Sequence, residues 1–437
     1  MNTSKAMARC MAQLATPPQP MGALRAGNWH PTRHGVLPSA GPVTATPGTF
    51  CRSQSVPPTR SSRAVLACQA LHQVAPSPDT LAQPAHGGLE PETMPEEKIE
   101  YKVAVFSSSE WVTDSFTEPF SVFSTVNYFP ARLEPKSAKL AAGHDAVCIF
   151  VNDDAGAESI AALAEAGVKL IALRCAGFDR VDLEAAEKHG IRVVRVPAYS
   201  PRSVAEHALT LMMALARNLK LAQIKVQAGS YTLNGLVGLE LTGRTFGIVG
   251  TGAIGLELVK LLRGFEGKVL AYDPYPSEKA KELGVSYVPL EQLMREADVV
   301  SLHVPLLPST RHIIGPANLK LLKPTALVIN VSRGGLIDTS AAIASLTDGN
   351  LGGLAVDVYE GEESLFFKDM TNLNTQKRMK VWDKKFNELL GLPQVIVTPH
   401  IAFLTTTALD AIASTTRENL AAGAQGRELV NEVKFKG

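Results

Sequence analysis

The segment GRTFGIVGTGAIGLELVKLL, residues 243–262, decides the fold class of this 437-residue chain. It runs from a short apolar stretch through three glycines in GxGxxG spacing into an amphipathic helical pattern. In a strand–turn–helix unit, Gly250 permits the tight turn, Gly252 lets the backbone approach a phosphate, and Gly255 allows the helix to pack closely on the strand. The pattern therefore predicts a dinucleotide-binding α/β domain with the pyrophosphate at the helix N-terminus.

Asp273 ends the next apolar run, KVLAYD (268–273), 18 residues beyond Gly255. An acid at this position accepts hydrogen bonds from the adenosine ribose and repels a 2′-phosphate, so we expect NAD as the cofactor rather than NADP. Because Pro274 follows directly, the aspartate could also be an ordinary turn residue.

Short apolar runs alternate with helical patterns along the rest of the chain, which is typical of parallel sheets with crossover helices. The first series is YKVAVF (101–106), DAVCIF (145–150), KLIALR (169–174) and IRVVRV (191–196). After a long helical stretch at 204–226, the second series is TFGIVG (245–250), KVLAYD, DVVSLH (298–303), ALVINV (326–331), GLAVDV (353–358) and QVIVTP (394–399). We therefore predict an α/β protein with two doubly wound parallel-sheet domains, Rossmann-like and flavodoxin-like.

The last helical pattern, near 405–424, follows the second series and is expected to pack back on the first sheet. The predicted substrate domain is therefore discontinuous and comprises residues 101–199 plus 403–437. Residues 200–402 form the predicted NAD-binding Rossmann domain.

The N-terminal segment differs in charge from the rest of the chain. Its first 78 residues carry seven basic residues and no acid, whereas the remainder has a formal charge of −6. Residues 1–95 are rich in Ala, Ser, Thr, Pro and Arg, which is typical of a disordered transit peptide and linker. The stretch RAVLACQA (63–70) resembles a plastid-type processing site, so a chloroplast is expected; a mitochondrial leader and an unprocessed tail remain alternatives.

The bulk properties exclude several other classes of protein. The acidic remainder gives no electrostatic reason to bind nucleic acid or anionic lipid, and no run of about 18 apolar residues offers a membrane span. Outside the leader the only cysteines are Cys148 and Cys175, each in or at the end of a predicted strand. Two such residues indicate reduced core thiols, with no disulfide framework and no metal site.

Candidates for chemistry follow the later apolar runs, because ligands of open α/β sheets bind beyond the carboxyl ends of the strands. Arg333 in NVSRGGLID (330–338) can grip a carboxylate with two parallel hydrogen bonds. His400 in VTPHIAF can transfer a proton near neutral pH, and a carboxylate from DVYEGEE (357–363) would favour the imidazolium and orient the ring. Taken singly, each could be an ordinary loop or surface residue.

From about 101 to 432 the sequence resembles the D-isomer-specific 2-hydroxyacid dehydrogenases, whose signature segments GRTFGIVGTGAIG, NVSRGGLID, DVYEGE and TPHIAF match in order. The resemblance implies that Arg333 binds and polarises a 2-keto acid and that His400 is the acid/base. It implies Glu362 as the carboxylate partner of His400, with Glu360 as the nearest competitor. The hydride would come from NADH.

The resemblance also implies further binding residues. Backbone amides of Ala176 and Gly177 would hold the substrate carboxylate, where small residues allow close approach. Implied cofactor contacts are Ala253, Ile254, Val304, Pro305, Thr310, Val331, Ser332, Arg333 and Asp357.

Within the family, three features are similar to the D-lactate dehydrogenase branch: PAYSP with Tyr199, the ESLFFKDM insertion after Glu362, and AFLTT with Phe403. An aromatic ring over a small pocket would favour pyruvate, although Phe403 could also be plain core packing. The alternatives are a reductase for hydroxypyruvate, glyoxylate or a phosphoglycerate-type substrate, and a corepressor or NAD-sensing scaffold without turnover. A homodimer or homotetramer is expected.

Overall fold

The computed structural model describes residues 98–435, except for the side chains of residues 375 and 380. The predictions made for residues 1–95 lie outside this range. Within it, none of the helices is long and apolar enough to cross a membrane.

The first sheet has five parallel strands in the order β2-β1-β3-β4-β5, which is the flavodoxin-like order. Every residue of β3 and β4 is buried, as expected for parallel strands with both faces covered. The elements are β1 Ile99–Val105, α1 Glu110–Phe116, β2 Phe123–Tyr128, β3 Ala146–Ile149, α2 Ala157–Glu165, β4 Leu170–Leu173, α3 Leu183–Lys188 and β5 Arg192–Val194.

The second sheet has seven parallel strands in the order β12-β11-β10-β9-β6-β7-β8, which is the Rossmann order with one added strand. The prediction of an α/β protein with two parallel sheets is thereby confirmed. The elements are α4 Pro201–Ala216, α5 Leu219–Gln227, β6 Thr245–Val249, α6 Ala253–Leu262, β7 Lys268–Tyr272, α7 Glu278–Glu282, β8 Ser286–Tyr287, α8 Leu290–Glu296, β9 Val299–Leu302, α9 Pro316–Leu319, β10 Leu327–Asn330, α10 Thr339–Thr347, β11 Gly353–Val356, α11 Thr375–Lys380, α12 Lys384–Gly391, β12 Val395–Val397 and α13 Thr406–Ala424.

The end of the chain returns to the first sheet. Helix α13 packs on β4 and β1, and Phe403, Ile412 and Leu420 are buried in the same cluster as the first sheet. Helix α4 instead packs on α6, β10 and β11 of the second sheet. These contacts support domain boundaries near residues 199–201 and 402–403, which we propose as the limits of the two domains.

Two details differ from the sequence prediction. The stretch 204–226, read as one long helix, is two helices, because Asn218 adopts a left-handed backbone conformation with φ 49° and interrupts the hydrogen bonding. Strands β2 and β8 were not predicted. β2 lies at a sheet edge with mostly half-buried residues and β8 has two residues, so neither shows an apolar run.

Candidate active site

A cavity of about 260 Å³ lies beyond the carboxyl ends of strands from both sheets. The predicted substrate and cofactor residues on its wall are Ala176, Gly177, Tyr199, Ile254, Val304, Pro305, Val331, Ser332, Arg333, His400 and Phe403. A second cavity of about 140 Å³ adjoins it, shares Arg333 and His400 as lining residues, and adds Glu362. Arg333, His400 and Glu362 therefore lie on the walls of two adjoining cavities.

The glycine loop between β6 and α6 fits a dinucleotide. Gly250 has φ +97°, and a Cβ there would meet the backbone of His303 at 2.8 Å. A Cβ on Gly255 would lie 2.1 Å from the carbonyl oxygen of Gly250, so helix and turn are in contact. A Cβ on Gly252 would meet nothing within 4 Å, which leaves open space in front of the helix N-terminus for a pyrophosphate. Ala253 is the first helical residue.

Asp273 lies at the end of β7, beside this loop. Its Oδ2 accepts hydrogen bonds from the amide of Thr251 at 2.7 Å and from the Thr251 hydroxyl at 3.1 Å. Its Oδ1 accepts from the amide of Tyr275 at 2.8 Å, so Asp273 is also the turn residue considered as the alternative. Oδ1, which accepts this one bond, keeps acceptor capacity for a ribose hydroxyl. Asp273 therefore fits NAD while it also fixes the glycine loop.

His400 and Glu362 form a close pair. His400 Nδ1 lies 3.0 Å from Glu362 Oε1, and the two side chains are only 16% and 21% exposed. The second oxygen, Oε2, accepts from the amide of Tyr359 at 3.0 Å, which fixes the orientation of the carboxylate. Glu360, the competitor for this role, instead binds Arg311 and His312, each at 2.8 Å. The geometry gives His400 one carboxylate partner and leaves Nε2 available for substrate.

Asp357 supports the backbone that carries His400. It is fully buried, and its two oxygens accept from the amides of Ile401 at 2.9 Å and Ala402 at 2.8 Å, and from the Thr398 hydroxyl at 2.5 Å. His400 itself has φ +58°, a conformation that costs energy for a residue with a Cβ. The Asp357 carboxylate holds the loop in that conformation, and it does not line the cavity where the nicotinamide contact was expected.

Thr310 also lies away from the cavity. Its hydroxyl donates to the carbonyl of Pro305 at 2.6 Å and accepts from the amide of Leu307 at 2.8 Å. These bonds close the turn that follows Val304 and Pro305. Its expected cofactor contact stays a prediction.

Arg333 spans the cleft between the two sheets. Its Nη1 donates to the carbonyl of Ser332 at 2.9 Å, and its Nε lies 3.4 Å from Oδ2 of Asp179, which is 65% exposed. A Cβ on Gly177 would lie 2.4 Å from Arg333 Nη2, so only glycine allows the guanidinium this close to the loop after β4. The arginine therefore lies against the predicted carboxylate-binding loop.

The amides of Ala176 and Gly177 are free donors on the cavity wall. Neither donates to an acceptor within residues 98–435. Unpaired backbone donors at a partly buried position are costly unless a ligand or water accepts from them. Together with Arg333, they make this part of the cavity suited to an anion.

An aromatic cluster around Phe403 forms part of the wall, beside aliphatic side chains. The ring of Phe403 lies 5.7 Å from Phe150, 6.0 Å from Trp111 and 6.2 Å from Tyr199. Phe403 is 7% exposed and belongs to the first core, so it is both core packing and cavity wall. Burial raises the pKa of Tyr199 to about 12, so its hydroxyl stays protonated and can donate to a ligand.

The sequence did not single out three residues that the structure brings to the site. Phe367, from the ESLFFKDM insertion, has its ring 5.8 Å from that of His400 and 5.3 Å from that of Phe150. His303 lines the cavity with its Nδ1 buried and without a partner, and burial lowers its pKa to about 4. Asp179, in the loop after β4, also lines the cavity. Each depends on contacts between distant segments that no local pattern encodes.

Both described cysteines are free and buried, as predicted. Burial raises the pKa of Cys148 to about 11 and that of Cys175 to about 12, so both remain thiols. No group of three or more His, Cys, Asp or Glu side chains that could hold a metal occurs in the part of the chain that is described.

A Rossmann sheet with a fitting glycine loop, next to an arginine and a carboxylate-paired histidine, defines a nicotinamide-dependent oxidoreductase. Comparisons with known proteins narrow this class. Residues 209–402 match the family described as D-isomer specific 2-hydroxyacid dehydrogenase, NAD binding domain. The chain is also 43% identical over 333 residues to the D-lactate dehydrogenase of Escherichia coli K12, across 76% of this chain and 99% of that protein.

Solved structures agree with this result. The pyruvate reductase of Chlamydomonas reinhardtii is 48% identical, with a TM-score of 0.74 over 76% of this chain and 99% of that one. A D-2-hydroxyisocaproate dehydrogenase is 35% identical, with a TM-score of 0.67 over 76% of this chain and all of the other. The chain therefore belongs to the D-isomer specific 2-hydroxyacid dehydrogenase family and is an NAD-dependent enzyme.

Proposed function

We propose that this enzyme is a D-lactate dehydrogenase that reduces pyruvate to D-lactate and regenerates NAD in fermentation. The observation that carries the proposal is the composition of one cavity wall: Arg333, His400 and the amides of Ala176 and Gly177, which have no acceptor within residues 98–435, line a space that aromatic and aliphatic side chains complete. The D-lactate dehydrogenase and pyruvate reductase among its relatives support the same substrate.

The charged residues suggest how the reaction proceeds. Arg333 and the amides of Ala176 and Gly177 hold the carboxylate of the 2-keto acid, and Arg333 also polarises the adjacent carbonyl. NADH, when bound, supplies the hydride that adds to the carbonyl carbon. His400 donates the proton that the carbonyl oxygen takes up, so the product is a hydroxyl group. Glu362 pairs with Nδ1 of His400 and holds the orientation of the imidazole ring.

The aromatic side of the cavity favours a small substrate. Phe403 packs against both Phe150 and Tyr199, and these rings cannot move apart without disturbing the first core. A methyl group next to the carbonyl fits such a wall, whereas a branched side chain would require displacement of a ring.

The test is a substrate panel with purified enzyme. NADH absorbance is followed with pyruvate, glyoxylate, hydroxypyruvate and 4-methyl-2-oxopentanoate, and again with NADPH. We expect the highest kcat/KM for pyruvate with NADH, and a product that a D-specific lactate assay detects. A higher kcat/KM for glyoxylate or hydroxypyruvate would reject pyruvate in favour of those acids, and absence of turnover with every acid would reject all four substrates.

We further propose that a second copy of the chain covers an apolar surface at residues 213–237. Helix α5 within it buries none of its residues, and its exposed apolar side chains are Met213, Leu219, Ile224, Val226, Tyr231, Leu233 and Val237. Exposed apolar side chains grouped along one segment are typical of a protein–protein contact. Light scattering should give a dimer or tetramer mass, and Leu233→Glu should lower it; a monomeric wild type would reject the proposal.

Residues 1–95 are proposed to be a plastid leader. A fluorescent protein fused behind them should enter plastids of a photosynthetic cell. Cytosolic fluorescence would reject a leader, and mitochondrial fluorescence would reject the choice of organelle.

A further inference from the structure

The loop that carries the two free amides is held from behind by Arg195, a residue just after β5. Arg195 Nη1 donates to the carbonyl oxygen of Ala176 at 2.8 Å, and its guanidinium carbon lies 5.1 Å from the centre of the Phe178 ring. Arg195 itself does not line the cavity. Its contacts therefore act on the loop and cannot be contacts to a ligand in the cavity.

The hydrogen bond to Ala176 fixes the direction of the next amide. In a planar trans peptide the carbonyl and the following N–H point in opposite directions. With the carbonyl of Ala176 turned toward Arg195, the N–H of Gly177 is directed away from Arg195, and Gly177 lines the cavity. A cation on the carbonyl also polarises the peptide group, so the N–H becomes a stronger donor.

The C-terminal segment in turn fixes Arg195. The amide of Arg195 donates to the carbonyl of Asn431 at 3.1 Å, and its carbonyl accepts from Asn419 Nδ2 at 2.9 Å. Asn431 Nδ2 also donates to Asn419 Oδ1 at 3.0 Å, and Asn419 is 5% exposed. Both backbone groups of Arg195 are thus anchored, and its side chain remains for the loop.

We propose that Arg195 is a positioning residue that directs the Gly177 amide at the carboxylate of the substrate. This inference rests on the proposed carboxylate-binding role of Ala176 and Gly177. It does not depend on which 2-keto acid is preferred, because the carboxylate is common to all of them.

Steady-state kinetics of Arg195→Met in the full chain test the proposal. KM for pyruvate should rise about tenfold or more, because the oriented, polarised donor to an anion is lost. The turnover at saturating pyruvate should stay within about threefold, and the NADH dissociation constant from fluorescence titration should not change. Arg195→Lys keeps one cationic donor and should recover part of the pyruvate affinity.

Arg192→Met is the matched control. Arg192 begins β5, three residues before Arg195, and pairs with Glu432 of the C-terminal segment at 2.7 Å; within residues 98–435 its side chain forms no hydrogen bond or ion pair with the loop. Arg192→Met should leave the KM for pyruvate within about twofold of the wild-type value. An unchanged KM in Arg195→Met, or an equal rise in Arg192→Met, would overturn the proposal, as would a parallel loss of NADH affinity.

The test of Arg195 does not depend on which 2-keto acid is the substrate. If the wild type reduces glyoxylate or hydroxypyruvate but not pyruvate, the D-lactate proposal fails, and the same KM comparison on that acid still tests Arg195. Thermal melting is recorded for each variant. If Arg195→Met does not fold, Arg195→Lys against Arg192→Lys provides the comparison, with a several-fold rise in KM expected only for the former.

Discussion

Nδ1 of His400 and Oε1 of Glu362 are 3.0 Å apart, whereas Glu360, two residues earlier in the chain, contacts Arg311 and His312 instead. We expect His400→Ala to lower kcat by about two to four decades through loss of the proton donor, with NADH affinity retained. Glu362→Gln should lower kcat by about tenfold or more. Glu360→Gln is the control and should change kcat little; equal losses in the two glutamate variants would contradict the assignment.

We expect substitutions of Arg333 and Asp179, which form an ion pair, to change the KM for pyruvate in opposite directions. Arg333→Lys should raise KM and lower kcat although the charge is kept, because a lysine cannot form two parallel bonds to a carboxylate. Asp179→Asn should lower KM for pyruvate by up to about fivefold, since a mostly exposed carboxylate no longer competes for the guanidinium. Initial rates over a range of pyruvate concentrations give KM and kcat for both variants. A raised KM in Asp179→Asn would contradict the idea that Asp179 competes with the substrate for Arg333.

Charge at Asp273 should control the choice of cofactor. Asp273→Asn keeps an acceptor oxygen for the Thr251 amide and removes the charge that repels a 2′-phosphate. We expect the ratio of kcat/KM for NADPH over NADH to rise about tenfold or more. Asp273→Ser should show the same change with weaker NADH binding, because the glycine loop loses its anchor. If the ratio of kcat/KM for NADPH over NADH stays at the wild-type value in both variants, another residue discriminates between the two cofactors.

Phe367 should limit the size of the substrate. It has φ +59° and contacts His400 and Phe150, while its neighbour Phe366 is buried against Phe386. Phe367→Ala should raise kcat/KM for 4-methyl-2-oxopentanoate relative to pyruvate by about tenfold, the scale of a few methylene groups in a pocket. Phe366→Leu, as the control, should lower the melting temperature without changing that ratio. If both variants keep the wild-type ratio of kcat/KM for the two acids, Phe367 plays no part in selecting substrates by size.

His303 should make stability depend on pH. Burial lowers its pKa from 6.5 to about 4, so between these values the unfolded chain binds a proton that the folded chain does not. The free energy of unfolding therefore falls as the pH drops below 6.5, by about 2 kcal/mol between pH 6.5 and 5 for a ring nitrogen shielded from water. Urea unfolding of the wild type and of His303→Asn, each at pH 7 and at pH 5, measures this fall in the free energy of unfolding. Between pH 7 and pH 5 the free energy of unfolding should fall less in the variant than in the wild type, by this amount. Equal falls in the two proteins would show that His303 is not responsible.

The sequence predicted the parts of this molecule that local patterns encode. Continuous apolar runs mark strands covered on both faces, and the glycine spacing marks the turn after β6. The family resemblance also favoured Glu362 over Glu360 as the partner of His400. The left-handed conformation at His400 was not predictable, because it is imposed by the Asp357 carboxylate, 43 positions earlier in the chain. Phe367 and Arg195 escaped notice for the same reason: their roles depend on contacts formed only after folding.

The return of helix α13 to the first sheet has a consequence for protein synthesis. A ribosome completes all strands of the first sheet some 200 residues before it releases Phe403, Ile412 and Leu420, which fill the core of that sheet. The Rossmann sheet can close while the chain is still attached, because the residues of its core precede position 403. The emerging chain should therefore acquire its nucleotide-binding half first, and its substrate-binding half should become protease-resistant only once residues 403–424 have left the ribosome.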